Sequence, residues 1–161
     1  MRTINVSLGE SSYAVQIAAG SLAQAGTVLR PYGRGGRMLV VTDSNVAQHV
    51  APDFIASLHA EGLETALFHL PAGEGSKNWA QLEALTDWLL THHVERSDHI
   101  IALGGGVVGD ITGFAAHIVK RGCNFIQVPT TLLAQVDSSV GGKTAINSRA
   151  EPVKGRCTLR L

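Results

Sequence analysis

The chain of 161 residues is poor in cysteine, in aromatic residues and in net charge, and each shortage excludes a class of protein. Two cysteines, Cys123 and Cys157, are too few for a disulfide framework or a four-sulfur zinc site. Thirteen Lys and Arg residues balance thirteen Asp and Glu residues, whereas a polybasic nucleic-acid binder carries an excess of cations. Aromatic residues make up 5% of the chain, which argues against a β-sandwich built on Trp and Tyr.

Long hydrophobic runs and targeting signals are also missing from the sequence. No run approaches the roughly 18 apolar residues of a membrane span, and residues 1–7 lack the apolar stretch of a signal peptide. The seven histidines include no H-E-x-x-H pattern, so we predict no metal site from them. We therefore expect a cytoplasmic protein with neither a membrane nor a nucleic-acid partner.

Glycine is abundant, with 18 residues, and short apolar runs alternate with amphipathic stretches. The nearly continuous apolar runs predict buried strands at 37–42, 64–70, 99–103 and 124–128. Apolar residues three or four apart predict helices at 22–29, 46–58, 79–89 and 107–119. Gly62 is expected to end the second of these helices, and Ser76 to cap the third.

Alternation of apolar and polar residues at 4–8 and 13–17 predicts an N-terminal β-hairpin. Strands that alternate with helices form right-handed βαβ units, and such units build a parallel sheet. We therefore predict an α/β fold that is Rossmann-like, with a mainly parallel sheet and flanking helices. Ligands of such sheets bind beyond the carboxyl ends of the strands.

A glycine-rich turn at 104–110 lies between a predicted strand and a predicted helix. Gly104, Gly106 and Gly109 satisfy the pattern G-x-G-x-x-G, which lets backbone N–H groups approach a phosphate. The alternative is a tight turn that needs glycine only for its geometry. The acidic residue usual about twenty positions downstream is missing, so Asp43, with Asn45 beside it, is the candidate ribose ligand. Taken alone, Asp43 fits a helix N-cap better than a ribose ligand.

Two further segments contain polar residues in flexible surroundings. Residues 141–144 resemble the end of a P-loop, but Asp137 occupies the position of the first glycine, which argues against a nucleoside triphosphatase. Lys143 is a candidate anion ligand and Asp137 a candidate partner for substrate hydroxyls; the alternative is a solvated loop. Glu74 and Lys77 are either a surface pair three residues apart or a grip over a nucleotide.

Three motifs of the chain resemble the N-terminal half of the 3-dehydroquinate synthase family. They are Pro71-x-Gly-Glu-x-x-Lys77, the glycine turn at 104–110, and the block at 127–144 that contains Asp-Ser-Ser-Val-Gly-Gly-Lys-Thr. The resemblance covers about residues 1–147. Related sugar-phosphate cyclases and glycerol-dehydrogenase-like enzymes share the fold and the glycine turn, whereas the last block is typical of the synthase.

The resemblance implies roles for individual residues. Those that would bind NAD⁺ are Asp43, Asn45, Ala72, Gly73, Glu74, Lys77, Gly105, Gly106, Val107, Val108, Gly109, Asp110, Thr130, Thr131 and Lys143. Asp137 and Lys143 would face the sugar-phosphate substrate. Arg121 would reach the substrate phosphate across a homodimer interface.

The resemblance also implies an activity, the NAD-dependent cyclisation of a heptulosonate phosphate with release of phosphate. A divalent metal, zinc or cobalt, would act as a Lewis acid, but its ligands belong to a helical domain that this sequence does not contain. After Asn147 the family pattern is lost, and we expect residues 148–161 to be an atypical tail of a frameshifted or truncated chain. We expect the chain alone to be inactive. The alternatives are another sugar-phosphate cyclase and a non-catalytic NAD-binding module.

Overall fold

The computed structural model describes residues 1–9, 12–148 and 158–160, and its first two strands form an antiparallel hairpin. Strands β1 (Arg2–Val6) and β2 (Tyr13–Ile17) pair from Arg2 opposite Ile17 to Val6 opposite Tyr13. The hairpin was predicted, but its first strand ends two residues earlier than expected. The cause is the Ser12 hydroxyl, which accepts from the Leu8 N–H at 3.0 Å and holds this residue in the turn.

Four parallel strands form the central sheet. They are β3 (Arg37–Asp43), β4 (Glu64–Leu70), β5 (His99–Gly104) and β6 (Asn124–Pro129). Their order across the sheet is β4-β3-β5-β6, so the two middle strands have a neighbour on each side. These middle strands are the most deeply buried, as expected for strands covered on both faces.

Helices cover both faces of the sheet. They are α1 (Ala25–Leu29), α2 (Ser44–His49), α3 (Ala51–Ala60), α4 (Trp79–Thr91) and α5 (Gly106–Ile118). Alternate residues of β3 point to opposite faces: Leu39 and Val41 pack in the core that includes α4 and α5, and Met38 and Val40 in the core that includes α1 and α3. The predicted Rossmann-like α/β fold is confirmed.

The helix predicted at 46–58 is two helices separated at Val50. Pro52 has no N–H group to continue the hydrogen-bond ladder of α2, so the proline opens the new helix α3 instead. Gly62 ends this second helix as predicted. Its φ is +75°, and the following Leu63 N–H donates to the Leu58 carbonyl at 3.1 Å.

The predicted cap of α4 is wrong. Ser76 lies in a 3₁₀ turn (Glu74–Ser76), where its buried hydroxyl donates to the Pro71 carbonyl. The cap is Asn78, whose side-chain oxygen accepts from the Gln81 N–H at 3.0 Å. Trp79 begins the helix, as the predicted range 79–89 has it, but its side chain is 43% exposed.

A second antiparallel pair joins β7 (Ala145–Asn147) to β8 (Thr158–Arg160). The sequence predicted neither strand, since three residues are too few to show a period. The domain boundary expected at 147 stays a prediction, and residues 149–157 and 161 of the expected tail lie outside the described residues. Within the described ranges, no helix is long and apolar enough to cross a membrane.

Candidate functional site

The turn between β5 and α5 lies at the carboxyl edge of the sheet. Gly104 ends the strand, Gly105 is the helix N-cap without a side chain to cap it, and Gly106 begins the helix. The Gly109 N–H is the first to find a helical acceptor, the Gly105 carbonyl at 3.0 Å. Three backbone N–H groups before it lack an acceptor inside the helix and, with the helix dipole, favour an anion at this end.

The glycines of this turn have two different functions. A side chain at Gly104 would begin 2.5 Å from Cγ2 of Val108, and one at Gly109 would begin 2.8 Å from Oε1 of Gln127. These two glycines therefore let α5 pack closely. A Cβ atom at Gly105 would lie 3.2 Å from Cγ2 of Thr131, and one at Gly106 would lie 3.1 Å from the Ser138 hydroxyl. Because glycine has no Cβ atom, the turn stays open at these two positions. The tight-turn interpretation therefore holds for Gly104 and Gly109, and phosphate binding at Gly105 and Gly106 stays a prediction.

The next strand end brings two threonines to the glycine turn. The Thr130 N–H donates to the Gly104 carbonyl at 3.0 Å, and the Thr131 hydroxyl accepts from the Ala134 N–H at 3.2 Å. The Thr130 hydroxyl is buried and has no hydrogen-bond partner among the described residues. A buried hydroxyl without a hydrogen-bond partner raises the free energy of the folded chain. A ligand that formed a hydrogen bond with it would therefore bind more tightly.

The segment after β4 is joined to α5 by an ion pair. The Lys77 ammonium contacts the Asp110 carboxylate and lies 4.0 Å from Oε1 of Glu74. Only 11% of the Lys77 side chain is exposed, so this lysine is not the simple surface partner that the spacing alone allowed. Ala72 and Gly73, which precede the turn, are exposed.

Asp43 ends β3, between the Lys77 segment and the glycine turn in the strand order. Its Oδ1 accepts from the N–H groups of Asn45 at 2.9 Å and Val46 at 3.0 Å, so the N-cap alternative is confirmed. Asn45 is exposed. Four adjacent strand ends thus carry most of the residues that the resemblance assigned to NAD⁺.

The segment after β6 folds over the start of α5 as a π-helix (Ala134–Ser138). Asp137 and Lys143 are both exposed, and Lys143 follows Gly141 and Gly142, whose φ values are +98° and +66°. The Gly141 N–H donates to the Tyr13 hydroxyl at 3.0 Å, which ties this segment to the hairpin. Sequence analysis missed the π-helix, a feature frequent at functional sites.

Arg121 lies away from these residues, beyond the other end of α5. The helix has 13 residues, so it separates Arg121 from the glycine turn by about 20 Å. Lys120 and Arg121 adopt φ values of +53° and +63°, a conformation rare outside glycine. The structure does not bring Arg121 to the other predicted site residues.

The opposite edge of the sheet has a cavity that sequence analysis did not find. It has a volume of about 320 Å³ and is lined by charged residues, including Arg34, Arg37, Glu64 and Asp98. The two arginines lie 4.0 and 3.6 Å from the Asp98 carboxylate, so these charges compensate one another. In residues 1–9 and 12–148, no three His, Cys, Asp or Glu side chains come together as metal ligands.

A parallel sheet with a glycine turn at a helix start, and polar residues at neighbouring strand ends, defines a Rossmann-like α/β domain. The model of the family described as 3-dehydroquinate synthase N-terminal matches residues 67–153. The chain belongs to this family.

The 3-dehydroquinate synthase of Zymomonas mobilis is 55% identical over 148 residues, which are 92% of this chain and 39% of that protein. Other curated 3-dehydroquinate synthases match at 50–54% identity, and the chain spans about two-fifths of their length.

Among solved structures, 2-epi-5-epi-valiolone synthase from Streptomyces hygroscopicus, with NAD⁺ and Zn²⁺ bound, is 30% identical with a TM-score of 0.79. It matches 89% of this chain and 39% of its own. A 2-deoxy-scyllo-inosose synthase with carbaglucose-6-phosphate, NAD⁺ and Co²⁺ has a TM-score of 0.80 at 22% identity and matches 97% of this chain and 43% of its own. The latter likeness concerns the fold alone.

Proposed function

We propose that this chain is the NAD⁺-binding part of a 3-dehydroquinate synthase. The reaction is the cyclisation of 3-deoxy-D-arabino-heptulosonate 7-phosphate to 3-dehydroquinate with release of phosphate, a step of the shikimate pathway to chorismate and the aromatic amino acids. The observation that carries the proposal is the open glycine turn at α5, beside the unpartnered Thr130 hydroxyl, in a chain of this family. The 50–55% identity to curated synthases supports this substrate over those of other cyclases.

The strand ends fit a dinucleotide. The N–H groups of Gly106, Val107 and Val108 would bind the pyrophosphate, with Gly105 and Gly106 leaving room for it. Asp43 uses one carboxylate oxygen as a helix cap, and its other oxygen would accept from a ribose hydroxyl.

The remaining cofactor contacts would surround the same turn. They involve Asn45, Ala72, Gly73, Glu74, Lys77, Asp110, Thr130, Thr131 and Lys143. Bound NAD⁺ would supply the redox capacity for a transient oxidation of a substrate hydroxyl. This chain's residues would hold and orient the dinucleotide next to the substrate.

The substrate would meet the exposed groups of the segment after β6. The Lys143 ammonium would attract an anionic sugar phosphate, and Asp137 would accept from its hydroxyls. In a homodimer, Arg121 would reach across the interface to the phosphate of the substrate bound by the neighbouring subunit. A divalent metal, zinc or cobalt, would be bound by residues supplied from outside this chain, so the chain alone would bind NAD⁺ without releasing phosphate. The complete enzyme would act in the cytoplasm.

Two threonine variants test the cofactor site. Thr130→Val removes the unpartnered hydroxyl at the glycine turn. Thr112→Val removes a buried hydroxyl inside α5 that likewise has no hydrogen-bond partner in the part of the chain that the structure describes. Neither change breaks a hydrogen bond, so neither should lower stability. In calorimetric titrations with NAD⁺, only Thr130→Val should weaken binding, by about tenfold.

The proposal fails if the unaltered chain does not bind NAD⁺, or if both threonine variants bind it equally well. Release of inorganic phosphate from the heptulosonate phosphate by the purified chain would overturn the expectation that it is inactive alone. The alternative of a non-catalytic NAD-binding module is separated by adding the remainder of the Zymomonas mobilis relative. Restored turnover supports a synthase, and NAD⁺ binding without turnover supports the module.

A further inference from the structure

Asn147, the last residue of β7, makes two hydrogen bonds to the segment after β4. Its backbone N–H donates to the Lys77 carbonyl at 2.9 Å. Its side-chain amide donates to Oε1 of Glu74 at 3.1 Å. The neighbouring Ile146 is fully buried in the core, so the strand that presents Asn147 is itself fixed.

The segment after β4 needs such support because few of its residues are buried. Residues 71–75 are all exposed, and Gly73 has a φ of +102°. Within the segment, the Ser76 hydroxyl bonds to Pro71, a contact that shapes the turn without attaching it to the sheet. The two bonds from Asn147 join Glu74, the first residue of the turn, and Lys77, the residue that follows the turn, to a strand that is anchored in the core.

The side-chain bond also orients a charge. The same Glu74 oxygen that accepts from Asn147 lies 4.0 Å from the Lys77 ammonium, which in turn pairs with Asp110 on α5. An amide donor can hold the carboxylate toward Lys77 without adding a charge. A carboxylate in its place would repel Glu74.

We propose that Asn147 is a positioning residue that sets the orientation of Glu74 and Lys77 in the cofactor site. The proposal rests on the proposed function, because it takes these two residues to bind NAD⁺. Asn147 would touch neither cofactor nor substrate and would act through Glu74.

The test is a double-mutant cycle of Asn147→Ala and Glu74→Ala, with Asn147→Asp as a second probe. Asn124→Ala is the matched control, since Asn124 is an exposed asparagine at the start of β6, at the opposite edge of the sheet. NAD⁺ affinity is measured by titration calorimetry and stability by thermal unfolding without NAD⁺. Asn147→Ala should weaken NAD⁺ binding by about tenfold, Asn147→Asp at least as much, and Asn124→Ala not at all.

The two changes should be non-additive in both measurements, since each removes the same bond. In the Glu74→Ala background, Asn147→Ala should then have a smaller effect on stability and on affinity than it has alone. The positioning role would be overturned if Asn147→Ala changed affinity equally in both backgrounds, or did not change affinity at all. In either case, NAD⁺ binding by the unaltered chain would still uphold the proposed function. Non-additive stability in a chain that binds no NAD⁺ would uphold the bond and refute both its role in the cofactor site and the proposed function.

Discussion

The side chain of Gly113 is a single hydrogen atom, which lets α5 pack closely against Thr144 and Phe125. A Cβ atom at this position would begin 2.2 Å from Cγ2 of Thr144 and 3.1 Å from Cζ of Phe125. Thr144 is 1% exposed, so its side chain has no free space into which it could move. Glycine at 113 is therefore a packing requirement of the core, independent of any ligand.

We predict that Gly113→Ala destabilises the chain by about 1–3 kcal/mol through overpacking. The loss is measured by thermal or urea unfolding. Gly75→Ala is the control, because a Cβ there meets no heavy atom within 4 Å and should cost far less. Equal losses for the two variants would show that crowding around Gly113 is not the cause.

His99 gives the stability of the chain a dependence on pH. Burial lowers the pKa of its imidazole below the ordinary value of 6.5, and the Asp98 carboxylate opposes this only in part. The ring packs edge-on against Tyr32 at 5.0 Å, and Nδ1 is buried without a hydrogen-bond partner among the described residues. The folded state thus favours the neutral ring.

Because the unfolded chain binds the proton more readily, stability should fall as the pH drops below about 6.5 and level off once the folded pKa is passed. His99→Gln removes this contribution. Urea unfolding between pH 7.5 and pH 5 should show a smaller loss of stability for the variant than for the unaltered chain. Parallel curves would contradict the prediction.

At the scale of elements, Asp43 has two tasks that can be separated. Its carboxylate caps α2 through the N–H groups of Asn45 and Val46, and by our proposal it also binds the cofactor ribose. Asparagine is as good a cap as aspartate, whereas alanine is a poor one. An amide has the capping oxygen but lacks the negative charge.

We predict that Asp43→Ala lowers stability by about 1 kcal/mol, and that Asp43→Asn changes it by less than about 0.5 kcal/mol. Both variants should bind NAD⁺ more weakly. Stability comes from thermal unfolding and affinity from calorimetry of the same samples. An Asp43→Asn chain that bound NAD⁺ as tightly as the unaltered one would restrict Asp43 to its capping role.

The strands and the longer helices follow from the sequence, because their apolar periods extend over whole elements. The predicted range 64–70 is the observed β4, and the other three central strands differ from prediction by one residue at an end. Short-range chemistry was less predictable. Ser76 and Asn78 are both good caps, and only the bond from Ser76 to Pro71 excludes the former.

The site was predictable where topology alone decides it. Parallel strands place their carboxyl ends on one edge, so Asp43, the glycine turn and Thr130 had to be neighbours. The pair of Lys77 with Asp110 and the bonds of Asn147 join residues 33 and about 70 positions apart, and no local pattern reports such contacts.

At the scale of the whole molecule, an apolar surface follows β6. It consists of Leu132, Leu133, Val136 and Val140, which are 75%, 68%, 69% and 47% exposed. Single exposed apolar residues are normal, but four within nine positions form a patch of the kind that promotes association. They lie in and around the π-helix that covers the start of α5.

We predict that this surface makes the chain self-associate as its concentration rises, and that Leu132→Ser with Leu133→Ser reverses the effect. When a second molecule covers one of these leucines, the burial of its apolar area stabilises the associated state by up to about 2 kcal/mol per side chain. Because both are already exposed, their replacement should leave the unfolding temperature nearly unchanged. Sedimentation velocity over a concentration series measures the association, and Leu90→Ser, a lone exposed leucine on α4, is the control. If the Leu90 variant reduced association as much as the double variant, exposed apolar residues in general would be responsible and not this surface. If the unaltered chain stayed monomeric at every concentration, the surface would be too small to drive association by itself.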